Sequence, residues 1–179
     1  MIAAPGRTMD QVRDLWKPVI GRLAWGICRV HGSIFFIEFG HPHLFVREPS
    51  VSRSESAKVR RHAARRLAHL QGDWHFSIVY GDWSIRTAHG TLDSEASSGS
   101  PEDACLVDLQ GQRLVSVEPG RLLNSWKWTF DLGGVLEVWP SNEIPDEQWT
   151  LHPWNGEIAV YGHDGNLIFA KAEPMTEES

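Results

Sequence analysis

A chain of 179 residues suits one domain and would leave two cramped, and at this length about 70% of the unfolded surface can be buried without help from disulfides or metal. The apolar fraction of 41% excludes a disordered or collagen-like chain, and no run approaches the ~18 apolar residues of a membrane-spanning helix, since the best candidate, 34–39, is cut by Glu38. The net charge of −6 conceals a local excess of opposite sign: residues 47–66 carry seven basic side chains against two acidic ones, a net of +5 that leaves −11 for the rest. An acidic body with one basic element argues against general nucleic-acid binding, because most of the surface repels phosphate.

The first residues lack the apolar run of a secretory signal. Two cysteines, Cys28 and Cys105, are too few for a disulfide framework or a thiolate zinc cage. The expectation is a reduced, cytoplasmic protein without membrane contact. Nine Trp against seven Phe and two Tyr is an unusual balance, and tryptophan serves cores, interfaces and stacking sites alike.

In chain order, Thr8 with Gln11 has capping-box spacing and opens a helix over 9–17, with Met9, Val12, Leu15 or Trp16, and Val19 on one face and Pro18 at its end. The composition then turns β-branched and aromatic, and Gly32 and Gly40 separate three strands near 23–31, 33–39 and 43–47. Ser52 and Glu55 form a second capping box, and Val59, Ala63, Leu67 and Leu70 follow helical spacing, which predicts a helix over 53–66. Strict alternation over 72–85 predicts a half-buried strand, with Trp74, Phe76, Ile78 and Tyr80 on one face and Asp73, His75 and Ser77 on the other, and 83–85 continuing it or forming the next strand.

Residues 91–103 are polar and turn-rich and read as an internal loop. Ser100 and Pro101 suit the start of a short helix reaching Leu109, closed by Gly111. The last third reads as a β-meander with strands at 113–117, 125–132, 135–139, 148–152, 157–161 and 166–169, linked by Gly133-Gly134, Asn155-Gly156 and Asp164-Gly165. Residues 173–179 read as a flexible acidic tail. The whole predicts a single α+β domain over 1–172, mainly antiparallel sheet, curled or barrel-like, with about three short helices.

The segments FFIEFGHPHLFVREP, GDWHFSIVYGDWSI and WTFDLGGVLEVWP together resemble a group of small bacterial proteins of similar length with no assigned activity. The resemblance implies a bacterial cytoplasmic setting and supplies no functional residues.

Several constellations bear on chemistry. His41-Pro42-His43 places two imidazoles on one side of an extended chain, a metal-like pair that lacks a third ligand unless Glu38, Glu48 or a distant histidine supplies it; the plainer reading is a polar turn. Asp73 and His75 share one strand face, and Lys127, Thr129 and Asp131 share another opposite Trp126, Trp128 and Phe130. Were those strands neighbours, a mixed acid–base group would result; otherwise these are solvated sheet faces. Gly72-Asp73-Trp74 recurs as Gly81-Asp82-Trp83, too short a match for a structural repeat. Cys28 reads as a structural thiol in an apolar strand, with His31 on the opposite face. No catalytic residue is assigned, because Walker A, GxGxxG, HExxH and GxSxG are all absent.

Lys58, Arg61, His62, Arg65 and Arg66, with His69 beyond them, form a cationic ridge at helical spacing. A charge run is most often a solvated face, yet arginine also suits bidentate carboxylate recognition. The favoured reading is therefore a non-catalytic protein-binding module of immunity or accessory type, whose partner presents an acidic surface. The alternatives are a metal-dependent hydrolase using His41 and His43, and a nucleic-acid-associated module using the basic helix 53–66.

Overall fold

A computed structural model describes residues 5–30, 34–96, 104–142 and 146–171. The helix α1 (Pro5–Trp16) begins upstream of Thr8, so Thr8 lies inside it rather than capping it. Its buried stripe is Val12 and Trp16, continued by Val19 in the following turn, whereas Met9 at the start of the stripe is exposed.

Among the described residues eleven strands form two antiparallel sheets and two more form a separate ribbon. The larger sheet runs in the order β1 (Ala24–Arg29), β2 (Phe35–Phe39), β5 (Trp74–Ile78), β11 (Glu147–Pro153), β12 (Glu157–Gly162) and β13 (Leu167–Lys171). The smaller runs β7 (Gly90–Asp93), β6 (Gly81–Thr87), β10 (Val135–Pro140), β9 (Trp126–Phe130) and β8 (Leu114–Pro119). The ribbon pairs β3 (His43–Arg47) with β4 (Leu67–Gln71), with the short helix α2 (Ala57–Ala63) between them in the chain. Helix α3 (Ala104–Leu109) buries Cys105 and Leu109. Both sheets stay open, with edges at β1, β13, β7 and β8, so the curling expected from the sequence does not close a barrel.

Alternation explains which residues meet between the sheets. The inward positions of β2, β5 and β11 are Phe35, Ile37, Phe39, Phe76, Ile78, Trp149 and Leu151; those of β6, β9 and β10 are Trp83, Ile85, Trp126, Trp128, Phe130, Leu136 and Val138, and all are buried. Trp16 is set among them with its ring edge-on to Phe76 at 5.1 Å, to Trp128 at 5.4 Å and to Trp149 at 6.1 Å. Phe35 with Trp83 at 5.0 Å and Phe39 stacked on Phe130 at 6.5 Å join the two sheets elsewhere. The indole N–H groups of Trp16, Trp128 and Trp149 find no acceptor among the described residues. These rings therefore stabilise the fold by apolar area and edge-to-face contact rather than by hydrogen bonding.

Several elements depart from the sequence reading. Of the two readings of 83–85 the structure takes the second, a next strand, and places it in the other sheet: the chain turns the corner at Val79 and Tyr80, so Tyr80, expected on the face of Trp74 and Phe76, is exposed while Trp83 and Ile85 resume the core pattern from the other side. The predicted loop 91–103 contains the end of β7, where Leu92 is fully buried, and the expected cap Ser100 with Pro101 lies outside the described residues, as does the tail 173–179. All six strands of the predicted meander exist, yet β8, β9 and β10 form one antiparallel run and β11, β12 and β13 another, in opposite sheets. The basic helix is shorter than 53–66. Ser56 is its N-cap, accepting from the Val59 N–H at 3.5 Å, because Ser52 and Ser54 instead accept from the N–H groups of Ser54 and Ser56 in two successive turns.

Candidate functional site

The segment 43–71 stands apart from both sheets as an arm. In its ribbon Leu44 faces Leu70 across the strands and Val46 faces Ala68, while the other face carries His43 opposite Gln71 and Phe45 opposite His69. The second face leans on Trp154: the His43 ring stacks on this indole at 4.6 Å and 13°, and Phe45 meets it edge-on at 6.4 Å. The first face is left open, with Leu44 64% and Leu70 57% exposed. Helix α2 buries none of its residues, so the apolar stripe of Val59, Ala63, Leu67 and Leu70 expected to pack a helix does not do so. Leu67 and Leu70 belong to β4 instead.

The ridge on this arm is thinner than its composition suggests. Arg66 forms a bidentate pair with Glu48, its Nε lying 3.0 and 2.9 Å from the two carboxylate oxygens. Arg47 donates to the His62 carbonyl and Arg60 to those of Ser54 and Glu55, which ties the helix to its flanks. Lys58, Arg61 and Arg65 remain exposed, without an ion pair among the described residues. His62 is exposed beside them.

At the base of the arm His41 and His43 do converge, but on a carboxylate. Asp73 accepts the His41 backbone N–H at 2.8 Å, and its two oxygens are hydrogen-bonded to His41 Nδ1 at 3.2 Å and His43 Nε2 at 2.8 Å. Gly40 makes this possible: its φ of +83° suits glycine, and a Cβ there would run into the Asp73 carboxylate. Partial burial pushes the Asp73 carboxyl up, but the His41 N–H and the two rings outweigh it and hold the group at about 2. Both imidazoles thus fasten the base of the arm to Asp73, the residue before β5. The further ligands considered from sequence are engaged elsewhere, Glu38 with His75 and Glu48 with Arg66. Among the described residues no group of three or more His, Cys, Asp or Glu side chains is arranged to hold a metal ion.

On the outward face of the larger sheet the register aligns Glu38, His75 and His152 across β2, β5 and β11, with Ser77 and Thr150 in the next row. Glu38 Oε1 is hydrogen-bonded to His75 Nδ1 at 2.6 Å, and Oε2 accepts the Gly72 N–H at 2.8 Å. His152 Nε2 lies 3.0 Å from Thr150 Oγ1, which lies 2.6 Å from Ser77 Oγ. Burial pushes His152 down to about 4, the neighbouring His75 adds to this, and the Glu38 carboxylate opposes it. His152 is therefore neutral at ordinary pH. The arrangement joins a carboxylate–imidazole pair to a neutral imidazole bearing a hydroxyl relay, groups suited to moving a proton. Ser77 and Thr150 are both 5% exposed, so the hydroxyl end of the relay is closed to solvent, while His75 and His152 are half-buried.

This network was missed in the sequence, although alternation alone puts His75 with Ser77 and Thr150 with His152. The pairing of β5 with β11, 73 residues apart at Ser77 and Thr150, carries no local signal. Conversely, the group imagined from Asp73, His75, Lys127, Thr129 and Asp131 does not exist. Strands β5 and β9 lie in facing sheets with their aromatic sides together, which sends their polar faces to opposite exteriors. Lys127 pairs with Glu118 at 3.2 Å, and Asp131 accepts the Arg113 backbone N–H at 2.8 Å. Cys28, expected in an apolar environment, is exposed opposite Phe36 on the outward face of β1; His31 lies outside the described residues.

No helix among the described residues is long and apolar enough to cross a membrane. Comparison of the chain with protein-family models, with curated proteins and with solved structures gives no match.

Proposed function

We propose that this protein is a non-catalytic protein-binding module, of the kind that acts as an immunity or accessory protein, and that the arm 43–71 is its contact surface for an acidic partner. The observation that carries this reading is the open face of the ribbon: Leu44 and Leu70 are a cross-strand apolar pair directed away from the protein's own core, on the same arm as the unpaired Lys58, Arg61 and Arg65. Apolar area flanked by arginine is the composition of an interface centre and its rim. Free guanidinium groups select a carboxylate-bearing surface by geometry as well as by charge. The anchoring of the opposite ribbon face through His43, Asp73 and Trp154 supports the same reading, because a fixed arm loses little entropy on docking. A nucleic-acid partner is disfavoured by the net of −11 over the rest of the chain and by the aliphatic character of the open face.

The test separates the two halves of the surface. Arg61→Glu with Arg65→Glu reverses charge on the exposed side of α2, and Leu44→Ser with Leu70→Ser removes the apolar pair. Each double variant is expected to keep the melting temperature of the parent and to lose the proteins that the parent retains in cross-linked pull-downs from its own cells. Retention of every one of those proteins by both variants overturns the proposal.

A further inference from the structure

The outward face of the smaller sheet carries a cleft that the arm does not involve. Register sets Arg86 of β6 between Thr91 of β7 and Val135 of β10, and sets Ser84 opposite Glu137. Together with Arg121, from the connection between β8 and β9, these side chains line a cleft of about 230 Å³. Lys127, on the same sheet face, is neutralised by Glu118. The side chains of Arg86 and Arg121 are unpaired: among the described residues neither guanidinium makes a hydrogen bond or an ion pair. Two exposed guanidinium groups thus line one cavity with Glu137 as the acidic residue of its wall, and an anion placed between them takes up donors that no described residue engages.

From this geometry we infer that the cleft is a binding site for a small oxyanion compound, a phosphate monoester or a carboxylic acid that also carries an ammonium or hydroxyl donor. Arg86 and Arg121 receive the anionic oxygens, and the Ser84 and Thr91 hydroxyls add short-range donors. Glu137 sets the second requirement. Its carboxylate forms part of the wall with no cation bonded to it among the described residues, so it repels excess negative charge and accepts from a donor at the other end of the ligand. The cleft is small and open to solvent on one side, and it admits an anionic group with a short attached chain.

Isothermal titration of the full chain with O-phosphoethanolamine, β-alanine and inorganic phosphate tests this directly. At least one of the two ammonium-bearing compounds is expected to bind with a Kd at or below about 1 mM, and which one binds identifies the anion as phosphate or carboxylate. Arg86→Gln with Arg121→Gln is expected to weaken that binding at least about tenfold, and Arg121→Gln alone, a change outside the strands, gives the same direction if the double variant folds poorly. Glu137→Gln is expected to weaken the ammonium compound and to strengthen inorganic phosphate, a change of opposite sign that a merely structural role would not produce. Absence of binding by both ammonium compounds, affinities indifferent to the arginine substitutions, or a Glu137→Gln effect of one sign on both ligands overturns the inference.

Discussion

His152→Gln is expected to remove a pH dependence of stability that the native protein shows in mild acid. In the folded chain His152 titrates at about 4, whereas an unfolded histidine titrates at 6.5. As pH falls through 6.5 the unfolded chain takes up a proton that the folded chain refuses, so stability is lost progressively down to about pH 4 and then levels. The full shift corresponds to about 3 kcal/mol, and the partial exposure of the ring reduces this to about 2 kcal/mol. Glutamine places an amide near the position of Nε2, within reach of Thr150 Oγ1, and does not titrate. Urea unfolding followed by tryptophan fluorescence at about pH 7 and about pH 4.5 measures the effect as the difference between native and variant losses. Asp73 does not intrude, because its own contribution is present above 3.8 and disappears only as pH falls toward about 2. Equal losses in the native protein and in His152→Gln would refute the reasoning, since His152 would then titrate as it does unfolded.

Three further outcomes follow from the same geometry. Trp128→Ala should cost about 3–5 kcal/mol in urea unfolding, because the ring is fully buried against Trp16, Phe76 and Trp149. Asp73→Asn removes the charge that holds His41 and His43 and should cost about 1–3 kcal/mol, read as a lower melting temperature together with faster proteolysis within 43–71. Gly40→Ala should destabilise by more than about 1 kcal/mol, because it demands an unfavourable φ and displaces the same carboxylate; unchanged thermal unfolding in either variant would show that the clamp contributes nothing.

The candidate sites were legible from sequence in their parts and illegible in their assembly. The charge of 47–66 and the same-side placement of His41 and His43 could be read directly, since each depends on residues a few positions apart. Asp73, which joins the two histidines, lies 32 and 30 residues away, and Glu38 lies 37 residues from His75. Arg121 reaches the cleft of Arg86 and Glu137 from a connection whose direction no local pattern specifies.

The same division runs through the fold. Alternation by itself determined that Trp126, Trp128 and Phe130 share a buried face, and Asn155-Gly156 and Asp164-Gly165 determined the hairpins joining β11, β12 and β13, because a period of two and a tight turn are properties of neighbouring residues. Only the tertiary structure decided that 72–85 breaks at Val79 and Tyr80 and enters two sheets, since its alternating pattern serves either side of the core equally well. Only pairing with β3 made Leu67–Gln71 a strand, where apolar spacing alone suited a helix. A side chain's periodicity states which face it occupies, whereas the choice of partner strand rests on packing between distant segments, and the entropy of closing the loop between them grows too slowly with length to mark one partner over another.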